Sequence, residues 1–131
     1  MTSFFISPFE PPDEWYGQSN LEVDPIDLME RLRYQWLSLD ATMDPGIPHH
    51  LLDWEAITSA GFIRGTLQTN KQIVVLDGST RELAEFVIWY RGLISSEYRL
   101  FFFHESLYTC MEIKPATSLD ELVVAIEEGT K

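Results

Sequence analysis

The sequence predicts an α+β fold, with a five-stranded, mainly antiparallel sheet and three helices in the order α-βββ-α-ββ-α. Two observations predict this class. Short segments that alternate apolar and polar residues are joined by turns of a few residues, which is typical of antiparallel strands. Three further segments carry apolar residues at helical spacing behind capping residues. At 131 residues, 45% of them hydrophobic and 23% charged, the chain suits one globular domain spanning 1–131.

The first 23 residues are expected to form an extended arm in front of this domain. Four turn residues exclude a continuous helix: Pro8, Pro11, Pro12 and Gly17. The arm is also rich in aromatic residues that we expect to pack on the body: Phe4, Phe5, Phe9, Trp15 and Tyr16.

Capping residues predict where each helix begins. Asp24 is a good N-cap, Pro25 suits the first helical position, and this helix is predicted to run to about Leu37. Its predicted inward face comprises Ile26, Met29, Leu32 or Arg33, and Trp36.

The two later helices are predicted behind capping boxes. Ser79 with Glu82 and Ser118 with Glu121 fit that pattern. Gly92 is a plausible C-cap of the second helix. The residues expected to face inward are Leu83, Phe86, Val87 and Tyr90 in the second helix, and Leu119, Leu122, Val123 and Ile126 in the third.

Five segments predict the strands. In LLDWEAIT, at 51–58, Leu52, Trp54 and Ala56 alternate with Asp53, Glu55 and Ile57. FIRGTLQT and QIVVLD complete a three-stranded meander, and YRLFFFHE with LYTCMEI forms a second hairpin. The sheet is therefore expected to be antiparallel, with the helices on one face.

The chain is strongly acidic, with 21 Asp and Glu against 9 Lys and Arg and a net charge of −12. This balance argues against nucleic acid and against an anionic membrane surface as partners. It is compatible with cations or a basic protein as ligands, and equally with a role in solubility alone.

Cys110 is the only cysteine, so no disulfide can form within the chain. Its apolar strand predicts a buried thiol. The first residues contain no basic leader, and no apolar run approaches the length of a membrane span. A cytoplasmic location is therefore expected.

Enzymatic chemistry is disfavoured. His104, Glu105 and Ser106 form a tempting triplet, but a hairpin turn accounts for it better. The sequence has no Gly-rich phosphate loop and no zinc-type Cys/His spacing. The adjacent His49 and His50, on a loop that contains prolines, are interpreted as solvated rather than as metal ligands.

A calcium site is the sharper hypothesis. Asp40, Thr42 and Asp44 are spaced two apart, as oxygen ligands of a cation loop often are, and Gly46 follows. The twelfth position is Leu51 rather than Glu, so the loop is not an EF-hand. An ordinary solvated connection explains the same pattern.

Any calcium site would need further carboxylates from outside this loop. The nearest pair in sequence is Asp53 and Glu55, on one face of the next strand. Asp13 and Glu14 of the arm are a second source. Asp77 and Glu82 are a third, although capping already accounts for them.

Two protein families resemble this chain. The block AEFVIWYRGLISSEYRLFFFHE (84–105), with the length and acidity, resembles the small acidic calcium-binding proteins of cyanobacteria. That resemblance implies calcium buffering by surface carboxylates without an EF-hand, and it transfers no individual ligand. The element order and acidity are also similar to those of type III secretion chaperones, which are dimeric and non-enzymatic.

The sequence thus predicts a non-enzymatic binding protein with Ca²⁺ as its leading ligand. The residues predicted to hold the ion are Asp40, Thr42, Asp44, Asp53, Glu55, Asp13 and Glu14. The alternative is an acidic protein of the immunity or chaperone kind that recognises a basic protein partner. The sequence leaves its oligomeric state open.

Overall fold

A seven-stranded antiparallel sheet forms the body of the protein in a computed structural model that describes residues 3–10, 19–106 and 110–129. The strands lie side by side in the order β2-β3-β4-β5-β1-β6-β7. They are β1 (Phe4–Ser7), β2 (Asp40–Met43), β3 (His50–Thr58), β4 (Gly61–Gln68), β5 (Val74–Gly78), β6 (Leu100–His104) and β7 (Cys110–Ile113). The helices are α1 (Pro25–Gln35), α2 (Thr80–Leu93) and α3 (Leu119–Gly129). None of these helices has the length and apolar character that a membrane span requires.

The α+β class and the three helices are confirmed, but the prediction of a five-stranded sheet in the order α-βββ-α-ββ-α was wrong. The arm contributes β1, which pairs with both β5 and β6 and so lies inside the sheet. The segment interpreted as a cation loop contributes β2, an edge strand paired with β3. Both strands have only four residues. Their positions in the sheet are therefore determined by long-range pairing rather than by the local sequence pattern.

Two of the three predicted helix caps are present. Asp24 accepts hydrogen bonds from the backbone N–H groups of Ile26 (2.9 Å) and Asp27 (3.3 Å). Ser118 Oγ accepts from Glu121 N at 3.2 Å, while Ser118 N donates to Glu121 Oε1 at 3.3 Å. These reciprocal bonds form the predicted capping box.

The start of α2 differs from the prediction. Ser79 makes no side-chain cap; instead, its Oγ accepts from Phe62 N at 3.2 Å and its N–H donates to Phe62 O at 3.0 Å. Ser79 therefore extends the pairing of β4 with β5. Gly92 was predicted as the C-cap, but α2 continues to Leu93.

The inward face of α1 was predicted only in part. The buried residues are Leu28 and Leu32, whereas Ile26 is 58% exposed. Ile26 was placed on the wrong side of the helix, since it is two residues, about half a turn, away from the buried Leu28.

One hydrophobic cluster lies between the helices and one side of the sheet, here called the inner face. Trp54 of β3 stacks on Phe86 of α2 with ring centroids 5.7 Å apart, and Phe86 stacks on Tyr90 at 6.0 Å. A Cβ atom on Gly65 would collide with the Trp54 ring, so β4 needs glycine there for the indole to lie across it. This packing makes a firm support for β3 and β4.

The opposite side of the sheet, the outer face, carries a continuous row of residues that are direct cross-strand neighbours. Their order is Thr42, Asp53, Thr66, Val75, Phe5, Phe103 and Cys110. The row is polar at the β2 end and aromatic at the β6 end.

Cys110 was predicted to be buried and is in fact exposed. On β7, the partly buried Met111 and the buried Ile113 join the core cluster. The alternation of a strand therefore turns Cys110 to the outer face.

Candidate functional site

The pairing of β2 with β3 brings four of the predicted ligand residues together on the outer face. Asp40 lies opposite Glu55, and Thr42 lies opposite Asp53. Residues directly opposite each other in an antiparallel pair point to the same face. All four line a shallow cavity of about 290 Å³, so the predicted convergence of Asp53 and Glu55 with the Asp40 segment is present.

Asp53 is held by two neighbours at the centre of this cavity. Thr66 Oγ1 donates to Asp53 Oδ1 at 2.8 Å, and His50 Nδ1 lies 2.8 Å from the same oxygen. Because a carboxylate only accepts hydrogen bonds, the proton between His50 and Asp53 resides on Nδ1 in this tautomer. Oδ1 of Asp53 thus already accepts two hydrogen bonds, one from Thr66 and one from His50.

A β-bulge explains why His50 reaches Asp53. The pairing of β3 with β4 shifts register between His50 and Leu52. In a regular strand, His50 would share the inner face with Leu52. The extra residue turns the imidazole to the outer face instead, which is a common effect of bulges near functional sites. Periodicity alone gave no signal for this placement.

A second row of side chains crosses four strands beside Asp53. Asp40 lies opposite Glu55, Glu55 opposite Arg64, and Arg64 opposite Asp77. Arg64 Nε is 3.8 Å from Glu55 Oε2, and Arg64 Nη1 is 3.9 Å from Asp77 Oδ2. One guanidinium therefore lies between two carboxylates, at distances longer than a hydrogen bond.

The carboxylate at the edge of this row is not neutralised. Asp40 is exposed, and within the part of the chain that the structure describes no ion pair or side-chain hydrogen bond reaches it. Its cross-strand neighbour Glu55 has the same charge, and like charges directly opposite each other destabilise a strand pair. We call the outer-face residues Asp40, Asp53, Glu55 and Asp77, with Arg64, the acidic face.

The remaining predicted ligands lie elsewhere. Asp44 follows the end of β2 with a positive φ of 49°, and its N–H donates to Leu51 O at 2.8 Å. It is not among the residues that line the cavity. Asp13 and Glu14 lie outside the described residues. Of the seven predicted ligands, four share one cavity.

This arrangement does not form a ready calcium cage. Calcium binds about six to eight oxygens, whereas His50 and Thr66 occupy Asp53, and Arg64 lies against Glu55. Across residues 3–10, 19–106 and 110–129, no three side chains of His, Cys, Asp or Glu are grouped as metal ligands would be.

The triplet at the end of β6 forms a local turn. Ser106 N donates to His104 Nδ1 at 3.1 Å, and Ser106 Oγ is 2.5 Å from the same nitrogen. His104 Nε2 is buried, and no described residue gives it a hydrogen-bond partner. A catalytic histidine is normally oriented by an acid at its second nitrogen. Among the described residues, none takes that role here.

The chain has no significant match among protein-family models, curated proteins or solved structures.

Proposed function

We propose that this protein binds a basic partner protein through the acidic face and does so without catalysis, in the cytoplasm. The observation that carries the proposal is the pair Asp40 and Glu55, two carboxylates opposite each other at an open edge of the sheet. A Lys or Arg side chain from a partner placed between them would relieve their repulsion.

The number of available oxygens favours a basic side chain over a metal ion. A guanidinium or ammonium group needs only one or two carboxylates to form charge-assisted hydrogen bonds. Asp40 supplies one that has no partner among the described residues, and Glu55 supplies a second, whose neighbour Arg64 lies beyond hydrogen-bond distance at 3.8 Å. A calcium ion would need several more oxygens and would compete with His50 and Arg64 for the same carboxylates.

The charge of the whole chain supports the same proposal. A net charge of −12 attracts a basic protein over a distance comparable to the Debye length and speeds the encounter. Charge mainly sets the association rate, while buried apolar contacts set most of the affinity. The long-range attraction brings the partner to the protein, and at the acidic face its basic side chains contact the carboxylates directly.

Calcium is retained as a second candidate because of one observation, the presence of Asp40, Thr42, Asp53 and Glu55 around a single cavity. Binding there would require His50 and Arg64 to move away from the carboxylates. Calorimetric titration with Ca²⁺, with Mg²⁺ as the control ion, tests this candidate. An absence of heat at millimolar Ca²⁺ removes it.

The main proposal is tested with a lysine-rich peptide titrated into the wild-type protein at low and at high salt. The double variant Asp40→Asn/Glu55→Gln is expected to bind about tenfold more weakly at low salt, since each exposed charge contact contributes modestly. High salt should abolish the difference between wild type and variant.

A control of equal charge distinguishes the acidic face from net charge. Glu30→Gln/Glu85→Gln also removes two negative charges, but from α1 and α2. We expect this variant to bind the peptide as the wild type does. An equal loss in both double variants, or an absence of binding by the wild type, would refute the proposal.

A further inference from the structure

The acidic face ends at an open edge of the sheet, because β2 pairs with β3 alone among the residues that the structure describes. Asp44 N donates to Leu51 O. This bond determines which residues of β2 direct their backbone N–H and C=O groups toward β3 and which direct them outward. Asp40 and Thr42 lie in phase with Asp44 and direct their backbone groups toward β3. The N–H and C=O groups of Ala41 and Met43 therefore face outward. No described residue forms a backbone hydrogen bond with them.

Exposed apolar side chains lie at the Asp40 end of this edge. Leu37, three residues before Asp40, is 97% exposed, and Ile57, two residues after the cross-strand partner Glu55, is 67% exposed. Ser38 Oγ donates to Ile57 O at 2.6 Å, which ties the segment before β2 to the end of β3. Because Leu37 directly precedes Ser38, this bond places the backbone of both apolar residues near the start of β2. We call Leu37 and Ile57 the apolar anchor.

We propose that the free edge of β2 accepts an extended segment of the basic partner as an added strand. In such an addition, main-chain hydrogen bonds supply affinity and alternate side chains supply specificity. Lys or Arg at every second position would face Asp40 and Asp44, and the residues between them would be apolar, alongside Ala41 and Met43. The inference deepens the proposed function and rests on it.

Charge distinguishes this occupant from a second copy of the same chain. If two β2 strands paired antiparallel around Thr42, Asp40 of each copy would lie opposite Asp44 of the other. Like charges directly opposite each other destabilise strand pairs. Short, charged edges are also how proteins avoid self-association. The same two carboxylates that repel another copy attract a strand that carries Lys or Arg.

The apolar anchor offers an apolar contact for one end of the added strand. A strand with an apolar residue near its end could bury it against Leu37 and Ile57, both of which are mostly in water in the free protein. Covering an exposed leucine contributes about tenfold in affinity when roughly half of its surface is buried.

The test uses a peptide of alternating Lys and Val, roughly seven residues long as strands commonly are. It is compared with an analogue of the same sequence that is N-methylated at alternate residues. We expect the unmodified peptide to bind at least about tenfold more tightly, because methylation removes main-chain donors while keeping the charge. On binding, the exchange of the Ala41 and Met43 amide hydrogens should slow by a similar factor.

Variants of the full chain provide an independent readout. Ala41→Pro removes the outward N–H, a position at which an edge strand tolerates proline, and should weaken the peptide about tenfold. Ala41→Val keeps the N–H and serves as its control. Leu37→Ser should weaken the peptide several-fold, whereas Val124→Ser, at an exposed site on α3, should not.

The outcomes separate the two proposals. If both peptides bind equally and the two amides stay unprotected, strand addition is wrong and the acidic face still binds basic segments. If neither the peptides nor a lysine-rich probe binds, the proposed function fails and strand addition fails with it. If native mass spectrometry shows a dimer of the free protein that Ala41→Pro abolishes, a second copy occupies the edge and the inference is overturned.

Discussion

The two halves of the outer face share one row of cross-strand neighbours but differ in how they meet solvent. At the β6 end, Phe103 is buried to 1% exposure and stacks on Phe5 with centroids 5.3 Å apart. At the β2 end, Asp40 and Glu55 face water with a like charge opposite. We call Phe5, Phe101 and Phe103 the aromatic half. The aromatic half therefore contributes buried packing to the fold, while Asp40, at the edge of the acidic face, keeps a charge that no described residue neutralises.

Removing an aromatic ring should produce the largest difference between the halves. Phe103→Ala is expected to lower the free energy of unfolding by about 3–5 kcal/mol, because it deletes a fully buried ring. Glu55→Ala should change it by less than about 0.5 kcal/mol. Urea unfolding followed by tryptophan fluorescence measures both. Similar losses in the two variants would show that the acidic face is also structural.

The support beneath the acidic face is tested at Gly65. Gly65→Ala should cost about 1–3 kcal/mol, because its Cβ would press into the Trp54 ring. Gly92→Ala is the matched control, since a Cβ there meets nothing within 4 Å and the site lies within α2. That control should stabilise the protein by up to about 1 kcal/mol. If the two alanine variants unfold at the same urea concentration, the close packing of Trp54 on Gly65 is contradicted.

A pH experiment measures what the ion pair between Arg99 and Glu112, at the β6 end of the sheet, contributes to stability. The hydrogen bond from Arg99, at 3.0 Å, lowers the pKa of Glu112 from its ordinary value, against a smaller opposing effect of burial. With a lowered pKa in the folded state, the stability from this pair is present above the ordinary pKa. It is lost as pH falls through the folded-state pKa.

The expected loss is small, about 0.5 kcal/mol, because the Arg99 side chain is 59% exposed. Unfolding free energies of wild type and Glu112→Gln, measured from about pH 7 to about pH 3, give this contribution. The two curves should differ near neutral pH and converge in acid. A constant offset across this range would mean that Glu112 stabilises the fold by packing and not by its charge.

The smallest change in the free energy of unfolding is expected for Asp40, the carboxylate on the edge strand β2. Asp40→Asn should raise the free energy of unfolding by about 0.3 kcal/mol, because it removes the repulsion from Glu55. Glu30→Gln, which removes the same charge from α1, should leave it unchanged within error. Differential scanning calorimetry at low salt resolves the comparison. Destabilisation by Asp40→Asn would show that Asp40 has a folding role that its exposed position does not explain.

The sequence predicted local structure well where capping or alternation determines it. Asp24 and the Ser118–Glu121 pair mark helix starts because their bonds lie within three residues. Asp53 and Glu55 were correctly placed on one face because a strand alternates. These features need no knowledge of distant partners.

What sequence reasoning missed depends on long-range pairing or on irregular backbone. The four residues of β1 are central only because β5 and β6 flank them. Turn residues around Asp44 and Gly46 concealed β2, whose only apolar members are Ala41 and Met43. The contact of His50 with Asp53 follows from a bulge that no periodicity reveals. Asp40, Thr42, Asp53 and Glu55 line one cavity because β2 pairs with β3, and not because residues 40–46 form a cation loop.

In the proposed function, the acidic face, and not acidity in general, binds a basic partner. Its most direct test is an NMR titration of the isotopically labelled protein with a lysine-rich peptide at low salt. We expect amide shift changes that concentrate on β2, β3 and β4 and disappear at high salt. Changes of equal size at the acidic residues of α1 and α3, or no changes at all, would contradict it.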